Sequence, residues 1–215
     1  MKKILSLILA LVATTTLWAQ SSSTTAEADF QLGLRYFKEG NQTEAVKYLR
    51  LAAQQGLASA QCVLGSCYYN GDGVTKDYTE AVKYYRLAAQ QGYAKAQNAL
   101  GICYYSGKGV TQSYTEAVKY HRLAAQQGYA NAQMLLAGCY EMGTGVTQNY
   151  TEAVKYLRLA AQQGLDIAQY ALGICYYRGK GVTQSDTEAR KWFEKAAAQG
   201  HKGAMEMLDP YLYIQ

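Results

Sequence analysis

Histidine, proline and charge are all scarce in this chain. Two histidines in 215 residues leave too few imidazoles for a histidine-built metal site or a Ser–His–Asp triad. One proline, Pro210, set against 20 glycines, fits helices stopped by glycine rather than broken by proline. Charged residues are only 17% of the chain, below the ~25% usual in soluble domains. The formal net charge is +5. Without Lys2 and Lys3, which lie in a segment read below as removed, 19 Lys+Arg against 16 Asp+Glu leave +3. That excess is too weak and too evenly spread for nucleic-acid binding. What is abundant is apolar: 49% hydrophobic residues can bury a sizeable core and exclude wholesale disorder. The length suits one or two domains.

The first twenty residues read as an address. Lys2-Lys3 precedes a nearly pure apolar run from Ile4 to Val12, and Thr14–Ala19 leads into Ser/Thr-rich sequence. A basic start, a short apolar run and a small closing residue have the form of a secretory signal peptide, with the cut expected after Ala19. The run is shorter than the ~20 residues a bilayer span needs. The mature chain is therefore expected to be exported, periplasmic or secreted, with no transmembrane segment. Residues 20–26 are a Ser/Thr-rich stretch, 27–208 the main domain and 209–215 a tail.

A 36-residue period governs the main domain. Gly56, Gly92, Gly128, Gly164 and Gly200 are each 36 apart, and so are Thr43, Thr79, Thr115, Thr151 and Thr187. The stretch 43–56 differs from 115–128 only at Leu49 against His121. Five units follow one another, with a partial sixth over 201–208. Each unit predicts two helices. Asn41, Asp77, Ser113, Asn149 and Ser185 stand three residues before a Glu, the pattern of a capping box. The periodic Gly supplies the left-handed stop at the other end. Between them Ala45, Tyr48, Leu49 and Ala52 recur at helical spacing as a buried stripe. The other helix runs over about 58–69 and its equivalents, with Ala60, Leu64, Gly65 and Tyr68 on one face. The linker Gly71-Asp72-Gly73-Val74 recurs, its valine placed to plug the helix pair. One such pair cannot cover both of its apolar faces, so the pairs must stack. Arg190 and Lys195 replace Val46 and Leu51 in the fifth unit, which predicts a polar outer face there.

The string Ala60-x-x-x-Leu64-Gly65-x-x-Tyr68-x-x-Gly71-x-Gly73-Val74, then Glu80-Ala81-x-x-Tyr84-x-x-x-Ala88-Ala89-x-x-Gly92, resembles the Sel1-like repeat family, relatives of tetratricopeptide repeats. It recurs over 96–128 and 168–200; in 132–164 Ala137 replaces the glycine. The resemblance implies an all-α fold, a right-handed α–α superhelix of five helix-turn-helix repeats plus a C-terminal partial repeat. It also implies a non-enzymatic scaffold that binds proteins or peptides, with envelope components among the expected partners and no cofactor.

Five cysteines invite the question of disulfides in an exported chain. Cys67, Cys103, Cys139 and Cys175 share one repeat position. Equivalent atoms of stacked repeats lie ~8–10 Å apart, beyond the reach of a disulfide. Cys62 and Cys67 diverge by roughly 140° around one helix. All five are expected reduced and packed. The paired cysteines of cysteine-rich family members have no counterpart, because no second helix carries one. His121 and His201 have no ligand or nucleophile at a recognisable spacing and are expected to be surface or half-buried structural residues. The sequons at Asn41 and Asn149 read as helix caps. The rival reading is a cell-envelope hydrolase or cell-wall-binding protein; a hydrolase would need a nucleophile beside a base, and the sequence shows no such pair. A third reading is a spacer that binds nothing.

In such a superhelix the first helices are expected to line the concave side, and their positions that change between units at helical spacing are the expected partner-binding groove. One row is Cys62, Asn98, Met134 and Tyr170; a turn on come Ser66, Ile102, Gly138 and Ile174; then Tyr69, Tyr105, Glu141 and Tyr177; Lys95, Asn131 and Ile167 precede them. The residues assigned to binding are Lys95, Asn98, Ile102, Tyr105, Asn131, Met134, Glu141, Tyr170, Ile174 and Tyr177. Tyrosine and apolar anchors with a few polar groups are the composition interfaces favour.

Overall fold

The computed structural model describes residues 24–209. The expected signal peptide over 1–19, the first part of the Ser/Thr-rich stretch and most of the expected tail lie outside the described residues. Among the described residues there are eleven helices and no strands. They are α1 (24–38), α2 (Gln42–Gln54), α3 (Ala58–Asn70), α4 (Tyr78–Gln90), α5 (Ala94–Ser106), α6 (Tyr114–Gln126), α7 (Ala130–Met142), α8 (Tyr150–Gln162), α9 (Asp166–Arg178), α10 (Asp186–Ala197) and α11 (Lys202–Leu208). The even-numbered helices are the second helices of the repeats. The chain divides into two compact units, Met1–Ala96 and Gln97–Gln215.

In the first unit α2 packs on α3 and α3 on α4. Val46, Leu49 and Ala52 meet Ala60, Leu64 and Cys67, and Val74 of the linker closes against them. In the second unit Val154, Leu157 and Ala160 meet Ala168, Leu172 and Cys175, with Val182 in the valine's place. There α11 covers α10 through Ala204, Ala189 and Phe193. Arg190, where α8 buries Val154, is exposed and pairs with Glu194 at 3.0 Å.

The second helices begin as the sequence predicts, with one difference. The side chains of Asn41, Ser113, Asn149 and Ser185 accept from the backbone N–H three residues on, and Asp77 accepts from Thr79 and Glu80. The reciprocal arm of the capping box is absent. Each cap's own N–H instead donates to a tyrosine carbonyl of the preceding helix, as Asn149 does to Tyr140 at 2.9 Å. The glutamates are thereby released to pair with the lysines three residues on, as Glu152 does with Lys155. The periodic glycines do close the other ends: Gly56 has φ +89°, and the N–H groups of Gly56 and Leu57 reach Ala53 and Ala52, the Schellman arrangement.

A buried polar clasp, which the sequence pattern did not suggest, ties the first helices α3, α7 and α9 to their two neighbours. Gln133 Nε2 donates to the Ala125 carbonyl of the helix before, at 3.3 Å. Its Oε1 accepts from Gln163 of the helix after, at 2.8 Å. Gln61 does the same with Ala53 and Gln91, and Gln169 with Ala161 and Gln199. A side chain that both donates and accepts is needed there, which glutamine provides.

Candidate partner-binding face

The first helices decide which of the variable positions can meet a partner. Lys95 in the first unit is exposed. In the second unit Ile102, Tyr105, Asn131 and Tyr177 are exposed, and Ile167 more than any of the other variable apolar residues, at 51%. Met134 and Ile174 are half-buried, leaning on the cores around Leu157 and Phe193 respectively. Tyr105 stands edge-on to Tyr114, ring centroids 5.1 Å apart. Tyr177 forms part of the wall of a cavity of about 340 Å³ that also touches Arg190, Met207 and Leu208. Gly138 faces open space, since a Cβ there would meet nothing within 4 Å.

Asn98, Tyr170 and Glu141 are engaged in contacts between elements of the chain. Asn98 is 6% exposed, and its Oδ1 lies 3.1 Å from His121 Nδ1. It is therefore removed from the binding face. Tyr170 lies against Phe193 and stacks on His201 at 4.5 Å. Glu141 is held by Lys180 at 2.9 Å, and that ammonium also sits 4.4 Å from the Tyr150 ring centroid. At Asn98 and Tyr170 the physical reason is the same: a change on the first helix is matched by a change on the second helix packed against it. Asn98 meets His121, and Tyr170 meets Phe193. Variation between units thus marks core matching as well as surface.

His121 itself is buried, at 2% exposure, rather than at or near the surface. Burial pushes its pKa down to about 4. The matching extends to Gly101: a Cβ there would come within 2.7 Å of the His121 ring, as one at Gly65 would of Tyr85. Where the opposed residue is the smaller Leu157, Ala137 takes the place of the glycine and is buried in the same core. That accounts for the one departure from the repeat pattern noted above.

All five cysteines are free and buried. Burial raises the Cys67 thiol to about 12 and those of Cys62, Cys103 and Cys175 to about 11. Thiols held this far from ionisation are packing residues rather than nucleophiles. Among the described residues no group of three His, Cys, Asp or Glu could hold a metal ion. No described helix is long and apolar enough to cross a membrane.

The Sel1 repeat profile matches residues 26–57, 58–93, 94–129, 130–165 and 166–201, five consecutive repeats that take in all but the ends of the chain. The chain belongs to the Sel1-repeat family. Solved structures agree. A protective antigen of uropathogenic Escherichia coli with this fold is 38% identical, TM-score 0.82, over 90% of this chain and 42% of its own. This chain thus spans less than half the length of that protein. A Sel1 repeat protein from Oxalobacter formigenes is 32% identical, TM-score 0.78, over 86% of this chain and 76% of its own. Cysteine-rich protein B of Helicobacter pylori is 26% identical, TM-score 0.51, over 64% of this chain and 99% of its own. No curated protein matches the chain. Sel1-repeat proteins are typically protein-interaction scaffolds and generally non-catalytic.

Proposed function

We propose that this Sel1-repeat protein is an exported adaptor that captures a protein or peptide on the first-helix face of its second unit. The observation that carries the reading is that Ile102, Tyr105, Ile167 and Tyr177 are exposed apolar or aromatic side chains at positions the repeat leaves free to vary. Tyrosine and isoleucine that the fold does not need buried are anchors of the kind binding surfaces use. Asn131, exposed on α7 of the same unit, adds a polar contact. The basic start and short apolar run of residues 2–12 support export, and on this reading the partner is a periplasmic, envelope or extracellular protein.

Replacing Tyr105 and Tyr177 together by alanine tests this. At ~2 kcal/mol for a tyrosine anchor, capture of the partner from envelope extracts weakens at least about tenfold. The melting temperature stays within about 2 °C, since surface substitutions are worth within ±0.5 kcal/mol. A double variant that unfolds, or one that binds normally, contradicts the reading.

A further inference from the structure

We propose that the α5–α6 hairpin is an acid-released segment of the chain: proton uptake by His121 unlatches it while the α7–α8 and α9–α10 hairpins stay closed. The inference goes beyond the binding role and does not depend on it. It stands on a buried pair that no other repeat contains. The equivalent positions hold Cys62 and Tyr85, Met134 and Leu157, and Tyr170 and Phe193, none of which gains a charge in acid. Here the pair is an amide and an imidazole, 3.1 Å apart and both buried.

The proton has nowhere comfortable to go. Asn98 Oδ1 accepts a hydrogen bond, so Nδ1 carries the ring proton of the neutral form and Nε2 is the free base. Nε2 lies over Gly101, so close that a Cβ there would sit 3.1 Å from it. Beyond the Asn98 oxygen, the groups that face the ring carry no opposite charge to offset a new cation. From α5 it meets Asn98 and Gly101, both uncharged. Arg122, next to it on α6, is turned to the Tyr140 hydroxyl of α7 at 3.2 Å. Burial, with no charged neighbour contributing, lowers the ring's affinity for a proton. Protonation therefore favours whichever state hydrates the ring, and that state is the opened hairpin. The folded ring titrates at about 4 and an opened one near ~6.5. The linkage is that of a depressed histidine: closure is intact above the open-state value and weakens as pH falls from there toward 4.

Cys103, buried on α5, reports the opening directly, and Cys175 on α9 is the internal reference. Full-length protein is labelled with 4,4′-dithiodipyridine between pH 8 and pH 5, and each cysteine is followed by peptide mass spectrometry. The ratio of Cys103 to Cys175 labelling cancels the intrinsic pH dependence of the reagent. From the two titration points the ratio should rise about thirtyfold by pH 5, with Cys175 still protected. The rise should vanish in His121→Leu, which installs the residue found at positions 49 and 157. It should vanish as well in Asn98→Met with His121→Leu, the matched pair of the next repeat. A constant ratio, all cysteines becoming reactive together, or a rise that persists in either variant overturns the proposal.

Discussion

Gly181→Ala should lower stability by roughly 3–5 kcal/mol, while Gly164→Ala should cost only about 1–2 kcal/mol. Both glycines have positive φ, +76° and +89°, so both substitutions carry the left-handed penalty of a side chain. At Gly164 that is all, because nothing lies within 4 Å of the new Cβ. At Gly181 the Cβ would overlap the Tyr150 carbonyl and approach the Thr151 nitrogen to 3.1 Å. Backbone cannot rotate aside as a side chain can, so the linker or the start of α8 must shift. Gly145 stands in the same relation to Tyr114, and Gly73 to Gln42. Gly73, Gly145 and Gly181 are thus contacts between consecutive repeats as well as turn residues. Urea denaturation of the two variants checks this; equal losses would show that the close approach is relaxed at little cost.

Gln133→Glu should be nearly as damaging at neutral pH, by about 3 kcal/mol, and should recover in acid. Gln133 is 3% exposed. The glutamate keeps an acceptor for Gln163 but turns a charged oxygen toward the Ala125 carbonyl, where the amide had donated. Burial and that carbonyl raise the new carboxyl's pKa above its unfolded value of ~4.3. A raised folded pKa means that the closed state is favoured below the unfolded value and loses ground as pH rises through the folded one. The protonated acid can donate to Ala125 and restore the clasp. Gln133→Leu leaves Gln163 with its bond to the Leu159 carbonyl and should cost about 1 kcal/mol with no such pH dependence. Melting curves of both variants at pH 7 and pH 5 decide the matter.

Helix positions and their ends were legible because each rests on local chemistry repeated five times. A polar cap, a helical stripe and a left-handed glycine are all written within 36 residues. The interactions that cross from one repeat to the next were not. Nothing local in Gln133 signals that it joins Ala125 to Gln163, and a glutamine on a first helix reads equally well as solvent-facing. The same blindness affected the binding face. Asn98 and Tyr105 differ between units in the same way, yet one is spent on His121 and the other is exposed. Only the pairing of positions 98 with 121 and 170 with 193 separates them. That pairing was present in the sequence as two variable positions 23 residues apart, each changing when the other changes.

The claim that variable, exposed first-helix positions bind while invariant ones build the repeat can be tested by photocrosslinking in the native cell. A benzophenone amino acid is placed singly at Tyr105 or Tyr177, and at Leu123 or Leu159 on second helices. These four are exposed to nearly the same degree, 39%, 38%, 40% and 40%, so accessibility alone cannot distinguish them. Adducts to a common partner from Tyr105 and Tyr177, with none from Leu123 and Leu159, are expected. Equal adducts from all four, or adducts from the leucines alone, would contradict the claim.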